Sequence, residues 1–437
     1  MALVRTAGWL GLMLLIGLSV LAESMPSAFA CGAYFAKRAP TTAGTASSQL
    51  YNHSTKMIVA RTGNTSTITM TADYRGDPQE FAVVIAVPMV LTREQIKIAD
   101  RTLIDVLDRF SAPKLVESYD SNPCRSTMAL TRGAMKPGAA FVGAPAGRPS
   151  LGVTVEAQYV VGEYDVAILS ATQSDGLQTW LNEAGYNVPA AAEPVLARYI
   201  AEGMKFFVAK VNLQQQQRLG YAMLRPLQIN YQSSKFMVPL RLSTINAEGP
   251  QEMFVFLLTS RGRVESANYP TYTIPTDVEV PPFVKSDFAG FYRAVFDKLV
   301  ASSKGRGVFI EHVSVIGPGV RFLGNDKLAE LGNDKLTELG ATWIGGGTEQ
   351  RVMLTRLHVR YDAAHFPMDL MLKETSNTVP VIGNFRITHP YAGDATCPEA
   401  ARYRAQVKAR SNREMANVRR VTGWPRKLIA EKVAAAR

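Results

Sequence analysis

Past its first thirty residues the chain has no apolar run approaching the ~20 residues that a membrane-spanning helix needs. It is also poor in the residues and motifs that most chemistry uses. Five histidines and three cysteines are spread over 437 residues. There is no H-E-x-x-H to hold a zinc ion on a helix. No G-x-S-x-G elbow presents a serine nucleophile. The segments KGRGVF and GPGVRFLG, from Lys304 and Gly317, lack the spacing of a phosphate-cradling loop. Gly345 to Gly347 read as a turn before a strand. These absences remove the common motif-bearing enzyme classes, and no constellation asks for a cofactor or a metal.

What is present begins with an export signal. Arg5 supplies a short positive region, and Trp9 to Ala22 form a compact apolar stretch. Ser27-Ala28-Phe29-Ala30 ends in an A-x-A pattern, so cleavage is expected after Ala30, with Cys31 as the first mature residue. A lipoprotein signal would place Leu and a small residue before that cysteine. Ala28 and Phe29 stand there instead, and plain secretion to the periplasm or cell envelope is the expectation.

The remaining composition is globular, with 47% apolar and 19% charged residues. The net charge of +11 is unevenly placed. From Pro398 to Arg437 there are eleven Lys or Arg against three Glu, which makes +8. Such asymmetry indicates an electrostatic contact. Export directs it toward anionic lipid, lipopolysaccharide or cell-wall polymer and away from nucleic acid. Val418, Val421, Trp424, Leu428 and Ile429 lie among Arg419, Arg420, Arg426 and Lys427. That mixture suits a basic amphipathic segment on an anionic surface. It equally suits a helix packed on its own domain with a solvated charged face.

Along the chain, strands are expected at 66–74, 81–88, 153–161, 252–260 and 352–361, and further strand-like runs lie at 56–61 and 204–244. Phe81 to Pro88 is a continuous apolar run, the mark of a strand buried on both faces. Leu103, Val106, Leu107 and Phe110 recur at helical spacing. Helices are also expected at 174–186, 191–203 and 288–299, and at the C-terminus on both sides of Gly423-Trp424-Pro425. Residues 131–152, rich in Gly, Ala and Pro, read as a linker or long surface loop. GNDKLAEL from Gly324 recurs at once as GNDKLTEL from Gly332, a local duplication too short for a solenoid. Strands in runs with short turns indicate an α+β fold with antiparallel sheets and packed helices. The expected division is a signal at 1–30, one α+β region at 31–397 and a basic helical tail at 398–437.

The densest mixture of charge and aromatic residues is LTRLHVRYDAAHFPMDL, Leu354 to Leu370, expected as strand, turn and second strand. Met353, Leu357, Val359 and Tyr361 share one parity, and Arg356, His358 and Arg360 the other, so a core face backs a polar face. Arg356, His358, Arg360 and Asp362 are the side chains a hydrolase would use here. His358 and His365 with Asp362 or Asp369 could ligate a metal, but two arginines beside His358 disfavour a divalent cation. Asp73, Asp77 and Glu80 surround a Gly-Pro turn, where Asp is favoured for backbone reasons as much as for calcium or proton transfer.

Four segments together resemble the bacterial family catalogued as domain of unknown function 2330. They are CGAYFA from Cys31; DYRGDPQEFAVVIAVP from Asp73; ILSATQSDGLQTWLNEAGYNVP with AEPVLARYIAEGMKFFVAKVNL; and the Leu354–Leu370 stretch with the ending His389 to Trp424. The resemblance implies an exported protein with no assigned activity. Relatives often carry a second cysteine five residues after the first, where this chain has Ala36. They also often carry Cys-x-x-Cys before the strand at 352–361, where this chain has the duplication. Spacing alone ranks none of the three possible pairings of Cys31, Cys124 and Cys397. The resemblance implies that Cys31 has lost its partner, which leaves Cys124–Cys397. The expectation is an exported, non-catalytic binding or structural module of the envelope, with a periplasmic hydrolase around His358 and Asp362 as the alternative.

Overall fold

The computed structural model describes residues 33–36, 55–71, 81–124, 154–171, 174–220, 224–245, 247, 249–317, 331–345 and 351–435. The expected cleavage point at Ala30 and Cys31, the acidic turn, the loop 131–152 and the first copy of the duplication, apart from its last residue, Leu331, lie outside them.

The α+β organisation is present, and its core lies between two sheets. Among the described residues one sheet has five strands and another nine. The smaller is ordered Ala33–Ala36, Phe81–Val87, Lys205–Val211, Tyr164–Ser170 and Thr154–Val161, with every pairing antiparallel. At the centre of the larger sheet Gln251–Thr259 pairs antiparallel with Val352–Tyr361, which pairs antiparallel with Val308–Ile316. On its other side Gln251–Thr259 runs parallel to Thr55–Thr62, so antiparallel pairing is not universal.

Side-chain alternation assembles the layers. Val83, Ile85, Val166, Ile168 and Phe207 of the smaller sheet meet Met57, Val59, Met253, Val255, Leu357 and Val359 of the larger in one apolar cluster. The opposite face of the smaller sheet lies under Ser174–Glu183 and Ala192–Ala201. The opposite face of the larger lies under Arg101–Ser111 and Asn333–Glu338. The order is therefore helix, sheet, sheet, helix. Asp100 caps the first covering helix by accepting from the Thr102 amide at 2.9 Å. The second copy of the duplication forms the Asn333–Glu338 helix, anchored by the buried Leu336.

One segment departs from the sequence expectation, and two more take pairings the sequence does not specify. FMVPLRLST gives only Met237–Val238 as strand, then a 3₁₀ turn over Arg241–Thr244. Pro239 between them has no amide to donate, which ends the ladder. The strand after the Leu354 stretch, Leu370–Glu374, joins Met237–Val238 and Val264–Ser266 in a separate sheet and does not fold back on its predecessor. VIGNFRIT divides. Val381–Ile382 pairs with Val308–Ile316, while Asn384–His389 lies between Val278–Glu279 and Lys114–Tyr119 in an all-parallel sheet of three.

That small sheet carries the terminal helices. Phe288–Ser302, Glu399–Thr422 and Arg426–Ala435 pack on it through Phe291, Val295, Phe385, Val418, Val421 and Ile429. Cys124 and Cys397 are joined, with their α-carbons 5.7 Å apart. Nearby, Asp120 accepts from Arg410 at 2.7 and 3.1 Å and from the Tyr403 hydroxyl at 2.8 Å. A bond and a charge pair thus tie the start of the tail to the first half of the chain.

Candidate functional site

Two places hold the side chains singled out in the sequence. The first is the polar face of Val352–Tyr361. Arg356, His358 and Arg360 do share that face, but it is not open. Phe288–Ser302 and Arg101–Ser111 cover it, leaving Arg356 and His358 each 4% exposed.

Beneath that cover every charge has a counter-charge. Arg356 Nε donates to Glu311 Oε2 at 2.6 Å, and its Nη1 donates to Asp108 Oδ1 at 2.5 Å. Arg360 Nε donates to Glu252 Oε1 at 2.9 Å, and its Nη1 donates to Asp297 at 2.7 Å. His358 sits between two carboxylates, with Nδ1 2.8 Å from Glu311 and Nε2 3.3 Å from Glu252. Its ring lies flat against Phe296, with centroids 3.5 Å apart, and is tilted against Phe254 at 4.2 Å. The Tyr292 hydroxyl donates to Glu311, and Lys56 pairs with Asp108 at 2.7 Å.

Glu311 reaches this cluster because of a bulge. The register runs Ile310 opposite Leu357, then His312 opposite Arg356, leaving Glu311 as the extra residue. Its carboxyl is wholly buried. Burial pushes that carboxyl up, but His358 and Arg356 outweigh burial and bring it down to about 2. Glu252 follows the same pattern, raised by burial but held at about 2 by His358 and Arg360. Burial favours neutral His358, yet Glu311 and Glu252 raise it above its ordinary value. His312 has no such carboxylate. Burial, Lys114 and Arg356 depress it to about 3, and it bonds Ser314 at 2.7 Å.

Asp362 does not join the cluster. It closes the next turn, accepting from the Ala364 and His365 amides at 2.9 and 2.8 Å and from His365 Nδ1 at 2.8 Å. Asp369 belongs elsewhere again, bonded to Tyr199 and Arg241 at 2.6 Å each. The four side chains of the hydrolase alternative are therefore three in a network and one in a turn. A general base must reach a proton on a substrate. His358 has both nitrogens engaged and both ring faces covered. Among the described residues no three His, Cys, Asp or Glu side chains gather as a metal site.

The second place is the terminal helical pair. A cleft of about 770 Å³ opens between Glu399–Thr422 and Arg426–Ala435, beside the end of Phe288–Ser302. Lys298, Arg419, Arg420 and Arg426 line it, and no carboxylate does. Gly423, at φ 76°, makes the left-handed turn that stops the long helix, a conformation glycine takes without strain. Lys298 donates its ammonium to the Arg420 carbonyl, where the last turn of the helix has unpaired acceptors. Arg420 Nη2 donates to Asn417 at 3.2 Å. Among the described residues Arg419, Arg426 and Lys427 have no ion pair.

The apolar residues of the tail are spent inward. Val418, Val421 and Ile429 are buried against the small sheet and Phe288–Ser302, and Trp424 is half-buried beneath Lys432. They are not free to enter a bilayer, whereas Arg419, Arg420, Arg426 and Lys427 face solvent. Among the described residues no helix is long and apolar enough to cross a membrane.

Sequence reasoning missed Glu252, Asp108, Asp297 and Glu311 as partners of the three cations. The one visible signal was Glu311 itself, a carboxylate inside the apolar run VFIEHVSVI, where burial demands a cation. It also missed Lys298, which reaches the cleft from a helix more than a hundred residues upstream.

No curated protein and no solved structure matches the chain. Residues 25–373 match the family described as "Uncharacterized protein conserved in bacteria (DUF2330)", a match that ends before the terminal helices. The chain belongs to that bacterial family.

Proposed function

We propose that this is an exported, non-catalytic protein of the bacterial envelope that holds an anionic component of its surroundings on the terminal helical pair. One observation carries the reading: four cations line one cleft with no carboxylate among them. Unpaired guanidinium groups on a surface suit phosphate and carboxylate partners. Export is supported by the apolar stretch Trp9–Ala22 with A-x-A before Cys31. The Cys124–Cys397 bond is consistent with an oxidising compartment. The body, 31–397, is on this reading a platform, and residues 398–437 are the contacting part. Anionic lipid and cell-wall polymer are the partners of suitable charge. The hydrolase alternative requires His358 to meet a substrate, and the closure of its surroundings weighs for the binding reading.

The test is sedimentation of the mature chain with phosphatidylglycerol or phosphatidylcholine vesicles. Binding to the anionic vesicles alone, falling as salt rises, is expected. It should disappear when Arg419, Arg420, Arg426 and Lys427 are all changed to Gln. Equal binding by that variant would overturn the reading.

A further inference from the structure

The anionic partner proposed above is defined by charge alone, and the shape of the cleft narrows it. Along Glu399–Thr422 the lining recurs at Asn412, Met415, Ala416, Arg419 and Gly423, the three- and four-residue spacing of one helix face. Arg426, Ile429 and Ala430 answer it from the shorter helix. The lining is divided by polarity. Arg419, Arg420 and Arg426 gather near the elbow at Gly423. Met415 is half-buried, Ile429 is buried, and Ala416 and Ala430 are exposed small side chains.

A free inorganic phosphate would satisfy the arginines and leave most of the cleft empty. At about 770 Å³ the cleft lies within the ~300–1,000 Å³ range of small-molecule sites. Ala416 and Ala430 contribute short, exposed side chains to its lining. Lys298 gives one N–H to a backbone carbonyl and Arg420 gives one to Asn417, and both keep further donors for an anion beside Arg419 and Arg426.

We propose that the cleft takes one phosphate-bearing amphiphile of net negative charge, a lipid whose phosphate, with no cation of its own beside it, is held by Arg419, Arg420 and Arg426. Its acyl stem lies along Met415, Ala416, Ile429 and Ala430. This rests on the anion-binding reading above and adds a stoichiometry and an apolar requirement to it. The tail then does not insert its own apolar face into a bilayer. It withdraws part of one lipid into the protein, which suits a tail whose valines are already buried.

The experiment is calorimetric titration of the full mature chain with three probes below their micelle-forming concentrations: dihexanoyl phosphatidic acid, dihexanoyl phosphatidylcholine and inorganic phosphate. One-to-one binding of the phosphatidic acid is expected, at least tenfold tighter than inorganic phosphate, with no heat from the phosphatidylcholine. Ala430→Trp, and separately Ala416→Trp, should weaken it about tenfold by filling the apolar side, as loss of a small apolar contact of 1.4 kcal/mol does. Equal affinity for inorganic phosphate would overturn the acyl part, and several lipids per chain would overturn the single site. In both cases phosphatidylglycerol vesicles would still sediment the protein, so the broader reading would survive. Failure to bind those vesicles would overturn both.

Discussion

The polar face of Val352–Tyr361 and the terminal cleft are built from the same residue type and differ in what surrounds it. Arg356 and Arg360 are met by Glu311, Asp108, Glu252 and Asp297, all supplied from within the chain. Arg419 and Arg426 face solvent with no carboxylate against them. A buried cation has to be neutralised by the fold, because taking it out of water costs several kcal/mol even after relaxation. An exposed one does not, so a cluster of exposed cations is free to be answered from outside. The two arginines around a histidine therefore stand in a network whose counter-charges the chain itself supplies.

The contrast is testable from its strongest side down. Glu311→Gln leaves Arg356 and His358 without their main counter-charge. Removing one partner of a buried pair costs about 3–5 kcal/mol, to be read from urea unfolding. The same change should leave vesicle binding by the folded protein intact. A loss of binding at unchanged stability would reverse the assignment of the two regions.

Cutting the covalent tie between the body and the tail should come next. Cys124→Ser with Cys397→Ser should lower unfolding stability by about 2–5 kcal/mol, since the bridge restricts the unfolded chain. An unchanged urea midpoint would show that Asp120 with Arg410 and Tyr403 suffices to hold the tail.

The pH response is smaller and has a defined direction. His358 is raised above its ordinary 6.5, so its contribution is full below pH 6.5 and is lost as pH rises through the higher folded value. Glu252 and Glu311, both brought from 4.5 to about 2, contribute above pH 4.5 and lose that contribution as pH falls toward 2. Urea midpoints should therefore decline on both flanks, and His358→Gln should flatten the alkaline one. Vesicle binding, carried by arginines, should hold constant from pH 6.5 to 8.5. The smallest stability change belongs to Arg419→Gln with Arg426→Gln. These exposed side chains should shift stability by no more than about 0.5 kcal/mol while weakening vesicle binding.

Much of the layering was legible in the residues. Phe81–Val87 is apolar at every position because both of its faces are covered, and the spacing of Leu103, Val106, Leu107 and Phe110 marked the covered side of a helix. Parity placed Arg356, His358 and Arg360 on one face. The hydrolase alternative added Asp362 to them, but the strand ends at Tyr361 and the turn redirects the carboxyl to its own neighbours. Alternation could not place Glu311 beside Arg356, because a bulge there breaks the pattern, and Glu252, Asp108 and Asp297 come from elements whose pairing with this strand the sequence does not specify. Nor does alternation say whether a polar face meets water or a charged helix. The Cys124–Cys397 pairing came from the family resemblance through Ala36, and nothing local to either cysteine specified it.

Joining residue 124 to residue 397 makes most of the protein a covalent ring with two free ends. The ring closes through a sequence separation of 273 and contains three strands of the five-stranded sheet and six of the nine-stranded one. A single protease cut anywhere between the two cysteines would open the ring without releasing a fragment, and the pieces would part on a gel only after reduction. A cut beyond Cys397 would leave the cationic segment with no covalent tie, held only by its packing on the small sheet and by Asp120. In a compartment containing proteases, the body would remain one molecule after being nicked, while one cut would leave its charged end dependent on noncovalent contacts alone.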